Sequence, residues 1–160
     1  MDIDRVLMTP EGHAALHAEL KHHLEVLRPR IVRDIEEARA HGDISENSEY
    51  EDAKHRQSLC EGRIGELKAK LGRAEIIRIQ DLPASDRVVF GASVAMEDLE
   101  SGDTARYRIV GVDEADVARG RISYNSPIGR ALIGKSVDDE VAVETPRGRR
   151  AFVITAVHYG

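Results

Sequence analysis

Apolar residues in the first half of the chain recur at steps of three and four: Leu16, Leu20, Leu24, Leu27, Ile31, Ile35 and Ala38. That spacing lines them along one side of a helix. Thr9-Pro10-Glu11 supplies its start, with Thr9 as N-cap and Pro10 in the first turn, where a missing N–H does no harm. A second series, Tyr50, Ala53, Gln57, Cys60, Ile64, Leu67, Leu71 and Ala74, alternates the same two steps and forms a heptad seam. Two helices of about 30 residues, each about 45 Å long and joined by a short connection, predict an antiparallel hairpin. Pro29 falls inside the first helix and removes one backbone hydrogen bond, so a kink or irregular turn is expected there. The stripe continues in phase from Leu27 to Ile31, so the helix is not expected to end at that point.

Residues 81–86 read as a linker, and the pattern beyond them changes. Short runs rich in Val, Ile, Tyr and Phe occupy 87–96, 105–112, 121–124, 140–144 and 151–159. Thr145-Pro146-Arg147-Gly148 reads as a hairpin turn between the last two, and 127–135 as one short helix. The expected architecture is α+β: an antiparallel two-helix coiled coil over 1–80, then a small, mainly antiparallel β domain with a short helix over 81–160. The coil satisfies its own seam within one chain, so a monomer is expected.

Composition narrows the function classes. Lys and Arg number 23 against 29 Asp and Glu, a net charge of -6, which argues against a general binder of nucleic-acid backbones. No apolar run is long enough for a membrane span, and the acidic start lacks the basic region of a secretory signal, so the cytoplasm is the expected location. The single Cys60 agrees with a reducing compartment and falls on the apolar seam. Aromatic residues make up 4% of the chain, which disfavours a prolyl isomerase or chaperone built on the second domain, since pockets for proline rings are usually aromatic-lined.

The connection between the helices holds five carboxylates in residues 43–52, Asp43, Glu46, Glu49, Glu51 and Asp52, and no basic residue. One reading is structural: Gly42 ends the first helix, and Asp43 with Glu46 makes a capping box for the second. The other is chemical: two carboxylates three residues apart offer hard oxygen ligands to Mg²⁺, which takes only one or two protein carboxylates when substrate and water complete its shell. Gly129-Arg130-Ala131-Leu132-Ile133-Gly134-Lys135-Ser136 matches a P-loop letter for letter, but its context is wrong: Asn125-Ser126-Pro127 comes shortly before it, and Asp138, Asp139 and Glu140 follow near where phosphates would sit. His13 and His17 lack a third zinc ligand at suitable spacing, and no G-x-S-x-G elbow is present.

Read together, several segments resemble the Gre family of bacterial transcript-cleavage factors. They are Met8-Thr9-Pro10-Glu11-Gly12, His41-Gly42-Asp43-Ile44-Ser45-Glu46-Asn47-Ser48-Glu49-Tyr50, Val89-Phe90-Gly91-Ala92 and Ser123-Tyr124-Asn125-Ser126-Pro127-Ile128-Gly129-Arg130. The resemblance implies a C-terminal domain similar to the FK506-binding-protein fold that docks on bacterial RNA polymerase, and a coiled coil that enters its secondary channel. It implies no enzyme activity in the chain itself: the polymerase cuts its own backtracked RNA near the nascent 3′ end. By position, Asp43 and Glu46 match the tip acids that help hold a Mg²⁺ shared with the polymerase and not bound tightly by the free protein. Lys54 and Arg56 fall near the patch that contacts RNA, and Ser126, Pro127 and Ile128 in the polymerase-docking segment. The limited basic patch and the acidic net charge resemble the A-type members. Ile44 stands where Leu is more usual, and Arg147, Arg149 and Arg150 make the last hairpin more basic than the family pattern. Relatives that lose the tip acids block the channel without supporting cleavage, which is the alternative expectation.

Overall fold

The computed structural model describes residues 5–42 and 47–160. By packing, these divide into two units. One is His13–Ala74; the other joins Arg5–Gly12 to Glu75–Gly160, so the second unit also takes in residues that the sequence pattern groups with the helices.

The first unit is helical. Helix α1, Pro10–His22, passes through a π-helical turn at His23–Leu27 into α2, Arg28–Ala40, and α3 is Ser48–Gly72. The irregularity expected at Pro29 is this wider turn. Proline has no N–H to give, and its ring collides with the carbonyl four residues back, so the turn before it opens. The Arg28 N–H reaches the His23 carbonyl, and His23 Nδ1 lies 2.9 Å from the Glu19 carbonyl oxygen. Ile31, Ile35, Ala53, Cys60 and Ile64 form the buried seam, with Leu20, Leu24, Leu27 and Tyr50 packed against it. Arg28 forks onto Glu61, both contacts 2.8 Å, and Arg63 onto Glu19 at 2.5 and 3.0 Å, tying α3 to the opposing helices. These carboxyls sit below the ordinary range because of those guanidinium hydrogen bonds, while burial pushes the Cys60 thiol up.

In the second unit, β1, Val6–Met8, pairs with β2, Ala74–Ile76. Thr9 acts as the N-cap expected of it, its Oγ1 accepting from the Gly12 N–H at 3.1 Å. The Glu114 carboxylate accepts from the Thr9 hydroxyl, from the Thr9 N–H at 3.1 Å and from the Gly111 N–H at 3.0 Å. A five-stranded mixed sheet follows in the order β5-β4-β3-β7-β6, made of Ser93–Asp98 (β3), Thr104–Val110 (β4), Arg121–Ser123 (β5), Glu140–Thr145 (β6) and Gly148–His158 (β7). Only β4 and β5 run parallel. The β6–β7 hairpin turns between Thr145 and Gly148, where the pattern placed it. Helix α4, Pro127–Leu132, lies beside β5 and β6, and the core gathers Val88, Phe90, Val94, Met96, Ile109, Ile122, Leu132, Val141 and Ile154. Asp98, 3% exposed, accepts at Oδ1 from the Glu100 and Ser101 N–H groups and sets Oδ2 2.5 Å from an Arg150 nitrogen. Those two N–H groups, with the Arg150 charge, hold its carboxyl low.

Candidate functional site

The acidic connection leaves α2 at Gly42, whose φ of 104° lies in the left-handed region where a side chain is strained. Asp43 and Glu46 lie outside the described residues. What the structure does settle is the start of the next helix. The N-cap of α3 is Asn47, whose Oδ1 accepts from the Tyr50 N–H at 3.1 Å. The capping box read into Asp43 and Glu46 is therefore not the cap of α3, whose N-cap is Asn47 and whose first residue is Ser48. Sequence reasoning passed over Asn47, although Asn followed by Ser48-Glu49 is itself a helix-start signal.

Just below this tip, α2 and α3 enclose a depression of about 210 Å³ lined by Asp34, Glu37, Ala38, His41, Glu49, Asp52 and Arg56. Arg56 reaches Asp34 across the hairpin at 2.9 Å and Asp52 on its own helix at 3.2 Å, and the hydrogen bond to Asp34 does most to raise its pKa. Lys54 is exposed and donates to Gln57 Oε1 at 3.0 Å. The two basic residues that the sequence paired are thus in different settings: Lys54 presents its ammonium to solvent, whereas Arg56 is a cross-hairpin clamp. His41 Nδ1 stands 3.3 Å from Glu49, and the Arg39 guanidinium lies 5.9 Å from the Tyr50 ring centre.

Hard oxygen donors dominate the described surface around the tip, which suits Mg²⁺ better than a soft metal. Among the described residues no group of three or more His, Cys, Asp or Glu is placed to hold a metal ion. His13 and His17 pack edge to face at 4.7 Å without a third ligand among those residues.

The segment around α4 is built by its own residues. Ser126 Oγ accepts from the Gly129 N–H at 3.1 Å and donates to the Ser123 carbonyl at 2.7 Å, Pro127 takes the first turn, and Ile128 packs on the core. Of the three expected docking residues, Pro127 is the exposed one. A Cβ on Gly129 would stand 2.2 Å from the Ser123 carbonyl oxygen, so this glycine marks the close approach of α4 to β5. The P-loop lookalike is thereby accounted for: its first glycine is inside a short helix, and no helix follows its lysine. No helix among the described residues is long and apolar enough to cross a membrane.

Comparison with known proteins bears on both units. Residues 6–76 match the family model described as transcription elongation factor, N-terminal, and residues 83–159 match that of transcription elongation factor GreA/GreB, C-terminal. The chain is 50% identical to transcription elongation factor GreA of Syntrophotalea carbinolica, covering 96% of this chain and 97% of that one. It is 53% identical to the GreA of Hyphomonas neptunium over 98% and 99% of the two chains. A solved structure, GreA factor homolog 1 (Gfh1) of Thermus thermophilus, is 30% identical and covers 96% of this chain and 99% of its own, at a TM-score of 0.43. With both halves matched in order and half the residues shared with full-length relatives, the chain belongs to the GreA/GreB family of transcription elongation factors.

Proposed function

We propose that the protein is a transcript-cleavage factor. Its α2–α3 hairpin enters the secondary channel of bacterial RNA polymerase and supports the polymerase's own cleavage of backtracked RNA, releasing arrested complexes. The observation that carries this reading is the hairpin itself, with Asn47 as the cap of α3 and two carboxylates, Asp43 and Glu46, in the sequence of the connecting segment. Mg²⁺ shared with the polymerase would supply a Lewis acid that lowers the pKa of the attacking water. The side chains of Asp43 and Glu46 would offer it oxygen ligands and orient that water, with the polymerase supplying the rest of the active site. Lys54, exposed on α3, contacts phosphate of the extruded RNA near its 3′ end; Arg56, spending two donors on Asp34 and Asp52, chiefly holds the helices that present it. Pro127 and its neighbours dock the second unit on the polymerase. The limited basic patch and acidic net charge favour short cleavage products, as in A-type factors.

The reading is tested on backtracked polymerase complexes carrying 3′-labelled RNA. Added protein is expected to release short labelled fragments and restore extension. A protein that binds the complex and slows it without releasing fragments is a channel blocker, and that result overturns the proposal.

A further inference from the structure

Asn47 joins the two ends of the hairpin tip. Its Oδ1 accepts from the Tyr50 N–H at 3.1 Å, which caps α3. Its Nδ2 donates at 2.6 Å to the carbonyl oxygen of Ala38, in the last turn of α2. The same carbonyl accepts from the His41 N–H at 3.2 Å, so the Asn47 amide adds a second donor to an oxygen that has two lone pairs. Capping alone does not call for asparagine, since Asp and Ser serve as well. Filling both bonds calls for an acceptor and a donor set apart as in an amide. Two further contacts among the described residues, His41 with Glu49 and Arg39 over Tyr50, join side chains to each other and not to the backbone.

We propose that Asn47 is a positioning residue for transcript cleavage. By fixing where the chain leaves α2 and where it enters α3, it sets where the intervening Asp43 and Glu46 carboxylates are presented. The inference rests on the function proposed above. Ligands on a segment tied at both ends lose less conformational freedom when they engage a metal, and such supporting hydrogen bonds weigh heavily on metal affinity and rate.

Asn47→Asp and Asn47→Ser keep an N-cap oxygen but lose the amide that spans both bonds. Cleavage by backtracked polymerase is measured for each, recording the rate at saturating factor, the factor concentration for half that rate, and the Mg²⁺ requirement. The expected result is a saturating rate about tenfold lower and a raised Mg²⁺ requirement, with half-saturating factor concentration and unfolding temperature close to the unsubstituted protein. Unchanged saturating rates in both variants overturn the proposal. So does a loss confined to the half-saturating concentration, or one that only follows lost helicity. The Asp43→Ala/Glu46→Ala double variant, run beside them, separates the two levels. If it cleaves normally, the functional reading itself fails; if it is inactive while both Asn47 variants cleave normally, only the positioning role fails.

Discussion

Arg56 carries a charge that looks available in sequence, yet its guanidinium lies between Asp34 on α2 and Asp52 on α3. Arg56→Gln is therefore expected to lower the unfolding temperature, and Asp34→Asn to add little on top of it. A double-mutant cycle by thermal unfolding checks this, and additive losses would contradict the pairing. Lys54→Ala is expected to leave the unfolding temperature unchanged and to weaken cleavage at limiting factor. Gly129→Ala drives a methyl into the Ser123 carbonyl and is expected to cost about 3 kcal/mol in denaturant unfolding. Single residues of this kind were only partly legible beforehand. The Thr9 cap and the end of α2 at Gly42 follow from local chemistry, whereas the Arg56 clamp and the Thr9–Glu114 bonds join positions 22 and 105 residues apart and leave no local pattern. Asn47 was hidden for a different reason: several Asx and Ser residues in a row offer several caps, and an acceptor on another helix helps to select one.

The hairpin helices were legible because every seam position obeys a three-four step, so burial follows from spacing; Ile31, Ile35, Ala53 and Ile64 are all buried. Longer strands were legible from β-branched runs, while β1 and β2 are three residues each, too short to show alternation. Ile64→Ala empties part of the seam and is expected to destabilise the protein by about 2–5 kcal/mol in denaturant unfolding. The carboxyls of Glu19 and Glu61 are depressed by Arg63 and Arg28, so the stability they contribute is fully present above the unfolded value of 4.5 and lost as pH falls through the folded value. Thermal unfolding at about pH 7 and about pH 3 is expected to show a less stable hairpin in acid. Arg63→Met should blunt that difference, and an unchanged difference would contradict the assignment.

For the whole molecule, the proposed function divides the labour between a β domain that would dock and a helical hairpin whose connection carries the carboxylates. A net charge of -6 leaves little general attraction to nucleic acid, so under the proposed function contact with RNA would depend on the polymerase placing the tip beside it. The free protein is expected to bind Mg²⁺ weakly, since two carboxylates leave most of the shell to water; calorimetry showing micromolar affinity would contradict a shared site. The most direct measurement of the central claim compares the protein with its Asp43→Ala/Glu46→Ala variant on backtracked RNA polymerase, at concentrations giving equal occupancy of the complex. The account predicts that the variant binds as the unsubstituted protein does and that stimulated RNA cleavage collapses. Cleavage that persists in the variant at equal occupancy would contradict it.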